Sequence, residues 1–284
     1  MKKLIYMDFE TRSQVDLKET GAPKYAAHPS TLPLMLAYGN STGHAQWIYD
    51  LTKPETIPSV PSKLRELIED PRVEFHAHNA GFEIIIYDSI CVARWGWPAI
   101  SHDRWFCTAA KAAAANQPRH LDNLGKRLKV KSNEAKDKRG KQLIKELSQP
   151  TKCQVTYKKP RKDAYGKNVR GEDGRVIYDV NTKSAQYLNE QGIETFEMTN
   201  DKGKTYTYFF NPDKKLHGEF QRYNVQDINA ERAVDRLLPP PHELERPLWL
   251  LDLEINRRGI PVDVELCKGA LKVYETEVNN AHSR

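Results

Sequence analysis

Three strand-like runs stand in succession at the start of the chain, and their order restricts the fold more than any other feature. They are "LIYMDFETRS" (4–13), "LPLMLAYGN" (32–40) and "HAQWIYDL" (44–51), the last two joined by a short glycine-containing turn. All three are rich in aromatic and branched residues, which favour strands. Residues 11–31 read as a loop between the first two. Next come an amphipathic helix bounded by prolines, "PSKLRELIEDP" (61–71), and a fourth strand, "RVEFHAHN" (72–79). "AGFEIIIYDSICVARWG" (80–96) is apolar nearly all round and reads as a buried helix. "SHDRWFCTAAKAAAAN" (101–116) reads as an alanine-rich helix capped by Ser101, and "HLDNLGKRLKV" (120–130) as another. Three strands, then helix, strand and helices, predict an α/β layered domain with a mixed central sheet flanked by helices.

The first strand carries two acids one residue apart. Side chains alternate along a strand, so Ile5, Met7 and Phe9 share one face and Tyr6, Asp8 and Glu10 the other. The Cα atoms of Asp8 and Glu10 then lie roughly 7 Å apart, from a rise of about 3.3 Å per residue. Like charges this close repel, and burial makes both costly to ionise. A divalent cation removes the conflict, because hard cations take carboxylate oxygens. The alternative is an edge strand whose acids point into water.

The chain has 284 residues, enough for one large domain or two small ones. Its net charge of +6 suits a polyanionic partner. That charge is uneven: residues 131–175 hold fourteen Lys/Arg and six Asp/Glu, a net +8, which leaves about −2 for the rest. Within 131–215, "GKQLIKELSQP" (140–150) is helical, while "GRVIYDV" (174–180) and "FEMTNDKGKTYTYFF" (196–210) resemble hairpin strands, with a turn near Asp201-Lys202-Gly203. This basic, β-rich insertion is the candidate for phosphate contacts, against the plainer reading of a solvated surface segment. Cys91, Cys107, Cys153 and Cys267 form no CxxC pair, which argues against a zinc site or disulfide framework and fits a reducing cytosolic setting. No apolar run reaches 18 residues, so no membrane span is expected.

"LHGEFQRYNVQDINAERAVDRLL" (216–238) is a long helical stretch closed by "PPP" (239–241). "HELERPLWLLDLEINRRG" (242–259) begins a new amphipathic helix that Gly259 ends, and helical patterning resumes over 264–284. The expected organisation is a domain over 1–238, with 131–215 inserted, and a helical connector over 239–284.

Two further acids complete a set. In "HAHNAGFE", Asn79 and Glu83 sit at a strand–helix junction, with Glu83 in the first helical turn, where the helix dipole favours an anion. In "YNVQD", Tyr223 and Asp227 are four residues apart and project from one helix face. With these residues in order, the chain resembles the DEDD 3′→5′ exonucleases of ribonuclease H-like fold, in their tyrosine subclass. More closely, it resembles the proofreading domain of phage-type family A DNA polymerases. The motifs that carry the likeness are "MDFETRS", "AHNAGFE", "CTAAKAAAANQPRHLDNLGKRL", "GKQLIKELSQP" and "YNVQDINAERAVDRLLP". "LWLLDLEINRRGIPVD" resembles the connector into a polymerase region, and residues 151–215 match least.

The resemblance implies two Mg²⁺ ions, replaceable by Mn²⁺. Asp8 would bridge both, Glu10 and Asp227 would hold the one that binds the attacking water, and Glu83 would support the second. The family usually has Asp where Glu83 stands. Tyr223 would orient the water; the histidine subclass needs His five residues before Asp227, where this chain has Arg222. The implied substrate is the 3′ end of single-stranded DNA, with Phe9, Thr11, Asn79 and Phe82 as candidate contacts. His76 and His78 read as structural. The polymerase part is not expected within these residues, so the chain would be a deliberately shortened polypeptide, a gene fragment or one half of a split protein. The competing readings are a free-standing exonuclease acting on RNA or DNA, and an inactive domain that only binds nucleic acid.

Overall fold

The computed structural model describes residues 3–43, 46–51, 58–131, 134–135, 139–154, 158–180 and 183–282. The first two residues of the "HAQWIYDL" run and the last two of the chain lie outside them, as do parts of the 131–215 region. The chain divides into two compact units, Met1–Pro241 and His242–Arg284.

The first unit is built on a five-stranded mixed sheet: β1 (Lys3–Arg12), β2 (Leu32–Asn40), β3 (Gln46–Asp50), β4 (Val73–Ala77) and β5 (Trp105–Cys107), in the order β3-β2-β1-β4-β5. β1, β2 and β3 form an antiparallel meander, while β4 and β5 run parallel to β1. β1 is therefore an interior strand: Asp8 stands opposite Ala37, Glu10 opposite Met35, and Tyr6 beside His76. Ile5, Tyr6, Met7 and Phe9 are all buried, so both faces of β1 are covered. This removes the wet-edge alternative for its two acids.

The helices of this unit are α1 (Leu17–Ala27), α2 (Ser62–Glu69), α3 (Ala80–Ile86, continued by a π-helical stretch Tyr87–Val92), α4 (Thr108–Ala114), α5 (Leu121–Arg127), α6 (Gly140–Leu147), α7 (Ala185–Glu190) and α8 (Lys214–Leu237). α8 lies against the sheet: Ile228 packs with Tyr6 and Ala37, and Phe220 and Tyr223 pack with Leu34, Met35, Leu143 and Leu147. Burying a side chain such as Phe220 contributes about 1.5–3 kcal/mol.

Two segments depart from the sequence reading. Residues 11–31 contain α1, which is interrupted at Gly21 (φ 74°) and capped by Asp16 accepting from the Lys18 amide. Its C-terminal end is held by a distant residue: Arg94 donates to the carbonyls of Ala26 (2.7 Å), His28 (3.0 Å) and Thr31 (3.1 Å). Residues 101–107, expected to be helical, instead supply a 3₁₀ turn (His102–Arg104) and β5. Pairing with β4 satisfies the backbone of Trp105–Cys107, and Trp105 is fully buried. Tertiary pairing here overrides local helix preference.

The basic insertion carries β6 (Thr151–Lys152), β7 (Lys158–Pro160), β8 (Tyr178–Val180), β9 (Thr195–Thr199) and β10 (Thr205–Phe209). These form a three-stranded sheet, β6-β10-β9, and a separate β7–β8 pair. The β9–β10 hairpin turns through Gly203 (φ 72°), a backbone conformation that glycine adopts without strain.

The second unit consists of α9 (Glu245–Arg258) and α10 (Val264–His282), with Gly259 (φ 72°) ending α9. Among the described residues, no helix is long and apolar enough to cross a membrane. All four cysteines are free.

Candidate metal centre

Asp8, Glu10 and Asp227 converge although 217 residues separate the last two in sequence. One carboxylate oxygen from each lies within 4.8 Å of the others. β1 supplies two of them because alternation puts Asp8 and Glu10 on one face, and α8 crosses that face with Asp227. Glu10 and Asp227 are buried and Asp8 is partly exposed. Three carboxylates this close, two of them withdrawn from water, repel strongly unless a cation is shared among them. The oxygen-only donor set and the opening at Asp8 fit a hard divalent cation.

Asn224 fixes the orientation of Asp8. It is fully buried, and its Nδ2 donates to Asp8 Oδ2 (2.5 Å) and to the Asp8 carbonyl (3.2 Å). One carboxylate oxygen of Asp8 is thereby anchored to α8.

Tyr223, one turn before Asp227, is 2% exposed, and its hydroxyl hydrogen-bonds to the Asp227 carboxylate. Burial, and then the charges of Asp227, Glu10 and Asp8, push its pKa far above the usual tyrosine value. The hydroxyl therefore stays protonated, a donor and not a base. The ring stacks on Phe220 (5.9 Å, 15°). On another side it meets Gly140, the first residue of α6: a Cβ there would stand 2.1 Å from the ring. Arg139 pairs with Glu219 on α8 at 2.6 Å, holding the start of α6 close by.

α8 continues the acidic column inward. Glu231, one turn beyond Asp227, is buried and accepts from the Thr108 hydroxyl (3.1 Å). Burial, then the charges of Asp235 and Asp8, raise its pKa well above the carboxylate range. Asp235, a further turn on, accepts from Lys111 Nζ (2.7 Å) and from the Tyr6 hydroxyl (2.7 Å). His76 stacks on Phe106 (4.9 Å, 10°) and lies 3.7 Å from Asp235. His78 bonds to the Thr108 hydroxyl (2.9 Å) and the Arg119 carbonyl (2.7 Å). Both histidines thus sit in packing and hydrogen-bonding positions.

The other expected site residues are placed differently. Glu83 is buried in the first turn of α3 and lies outside the three-carboxylate group, though its charge acts on Glu231. Asn79 is exposed and left-handed (φ 71°) where β4 passes into α3. Phe82 is half-buried, 6.2 Å from the Tyr25 ring. Phe9 is buried in the core, and the buried Thr11 hydroxyl lies 2.9 Å from that of Tyr25.

Sequence reasoning missed Asn224 and Gly140. Asn224 had a signal: Asn224, Asp227, Glu231 and Asp235 recur at helical spacing on the face that also carries Phe220, Tyr223, Ile228 and Val234. Polar residues repeating along an apolar stripe must find buried partners. Gly140 had none, because its partner lies 83 residues away.

No family model matches the chain, and no solved structure matches it. Among curated proteins, the chain is 30% identical over 275 residues, 96% of its length, to a DNA polymerase of Bacillus phage SP02. The aligned part is 34% of that polymerase, so the chain spans about a third of the relative's length. The chain is similar to a phage DNA polymerase over that third.

Proposed function

We propose that this chain is a divalent-metal-dependent 3′→5′ exonuclease of ribonuclease H-like fold that removes nucleotides from single-stranded DNA ends as the proofreading part of a DNA polymerase. The observation that carries this reading is the meeting of Asp8, Glu10 and Asp227 with the Tyr223 hydroxyl bonded to Asp227. The β3-β2-β1-β4-β5 order supports it by placing the acidic strand at the centre of the sheet. Similarity to a phage DNA polymerase supports the DNA context.

Asp8, Glu10 and Asp227 would hold Mg²⁺ or Mn²⁺, with Glu83 approaching from α3 toward a second ion. Such ions supply an activated water and stabilise charge on the leaving oxygen. The protein's own groups do the rest. Asn224 presents Asp8 in one orientation. Tyr223, held protonated with its one O–H donated to Asp227, would orient an oxygen nucleophile through its lone pairs without taking its proton. Asn79 and Phe82, near the start of α3 and accessible, are the contacts proposed for the DNA end. Phe9 and Thr11 would act by supporting β1 from within.

The test is Mg²⁺- or Mn²⁺-dependent shortening of a 5′-labelled single strand, one nucleotide at a time, abolished by Asp8→Ala. Protein that binds the strand but never shortens it with either ion would exclude this reading.

A further inference from the structure

We propose that one face of the β6-β10-β9 sheet is a stacking track for single-stranded DNA that runs toward the carboxylate centre. This deepens the nuclease reading and rests on it.

Register and alternation define the face. Tyr208 pairs with Phe196 on β9 and with Lys152 on β6, and Tyr206 pairs with Met198. Paired residues share a face, and residues two apart on one strand do as well. Tyr206, Tyr208, Phe210, Phe196, Met198 and Lys152 therefore lie together. The opposite face carries Thr195, Glu197, Thr199, Thr205, Thr207 and Phe209. Phe209 is buried, whereas Phe196, Tyr206, Tyr208 and Phe210 are only half-buried. On the opposite face Glu197, Thr199 and Thr205 are exposed, and on the aromatic face all four rings remain partly open to solvent.

Three of the aromatic rings lie side by side, and cations lie over the rings at both ends. Phe196 lies 5.1 Å from Phe210 and 6.4 Å from Tyr208. Lys152 Nζ stands 3.2 Å, and Lys204 Nζ 5.2 Å, from the centre of the Tyr206 ring. At the other end, the Arg12 guanidinium lies 4.6 Å from the centre of the Phe210 ring. Arg12 closes β1 two residues after Glu10, about 7 Å along the strand from it, so the row ends against the strand that carries the carboxylates. From Tyr206 to Phe210 the row extends ~13 Å.

The occupant follows from the chemistry. Aromatic rings with lysines and an arginine lying against them suit unpaired bases, which stack on the rings, and phosphates, which draw the cations. An acidic ligand without rings would use the cations and leave the aromatics idle. A purely apolar partner would offer Lys152 and Lys204 no anion. Of the three strands, β6 with Lys152 belongs to the +8 segment 131–175, which supplies charge complementarity to a polyanion.

The experiment is fluorescence anisotropy with a 5′-fluorescein 20-mer of thymidylate in EDTA, where no hydrolysis interferes. Each base stacked on an aromatic is worth about 1–3 kcal/mol. The Tyr206→Leu/Tyr208→Leu protein is expected to bind at least tenfold more weakly, and the Tyr206→Phe/Tyr208→Phe protein within about twofold of the parent. Removing two phosphate contacts by Lys152→Gln/Lys204→Gln is expected to flatten the salt slope by roughly 1.4, at about 0.7 per contact. A folded leucine variant that binds like the parent overturns the track. If the leucine variant fails to fold, an unchanged salt slope in the lysine variant overturns it instead. Strand binding that follows these expectations in a protein that shortens nothing with Mg²⁺ or Mn²⁺ would leave the track standing and remove the nuclease.

Discussion

Gly140 and Tyr223 occupy one another's space: a methyl group on Gly140 would lie 2.1 Å from the tyrosine ring and 2.7 Å from its hydroxyl. Gly140 carries no positive φ, so glycine is needed here for room and not for backbone freedom. The first residue of α6 thereby seats the aromatic hydroxyl that bonds to Asp227.

Gly140→Ala is expected to cost about 1–3 kcal/mol, the usual penalty for overpacking a filled site. It is also expected to reduce strand shortening toward the level of Tyr223→Ala. In a Tyr223→Ala background the penalty should vanish, because the ring that the methyl strikes is gone. Urea denaturation of the four proteins measures this cycle, and additive effects would refute the steric account.

Asn224→Ala removes both donors to Asp8. Partners that orient a ligand typically change metal affinity or activity 10–100-fold. A loss of that size is expected in Mn²⁺ affinity, measured by electron paramagnetic resonance of the free ion. Affinity equal to the parent's would show that Asp8 orients itself.

The carboxylate group predicts its own response to cations. Mg²⁺ is expected to raise the thermal midpoint, with a gain of about 2.7 kcal/mol at a hundred times Kd. Asp8→Asn is expected to abolish that gain while stabilising the metal-free protein, since one of three repelling charges is gone. Calorimetry with and without EDTA reads both effects, and a Mg²⁺ gain that survives in Asp8→Asn would place the ion elsewhere.

Glu83→Gln tests the acid that stands outside the group. With Glu83 supporting a second ion, shortening is expected to fall 10–100-fold while the fold is retained. A rate equal to the parent's would remove Glu83 from the metal site.

Glu231 links stability to pH. Its pKa is raised in the folded state, so the folded protein binds a proton that the unfolded chain releases. Its contribution is fully present below the ordinary value of 4.5 and is lost progressively as pH rises toward the raised value. Glu231→Gln keeps an acceptor for Thr108 and carries no charge. In EDTA it is expected to be more stable than the parent at neutral pH, with the difference shrinking to nothing below that ordinary value. Denaturation across pH measures this, and a difference that does not change with pH would contradict it.

Most of the local elements can be read from short runs of neighbouring residues. The β-prone runs at 4–13 and 32–40, the proline-bounded α2, the Gly203 turn and the long α8 were legible because each depends on neighbours within a few residues. Alternation likewise put Asp8 and Glu10 on one side of a strand, and helical spacing put Tyr223 and Asp227 on one side of a helix. Tertiary structure decided the rest. Only pairing with β4 made Trp105–Cys107 a strand, and Arg94's contacts with three carbonyls tie down the end of α1. Whether the two acids of β1 stood on a wet edge or on an interior strand turned on β1 lying between β2 and β4, with α8 across its face. The fit of Gly140 against Tyr223 and the hold of Asn224 on Asp8 join residues 83 and 216 apart in sequence. No local propensity encodes such contacts, because their energies exist only once the sheet and α8 have packed.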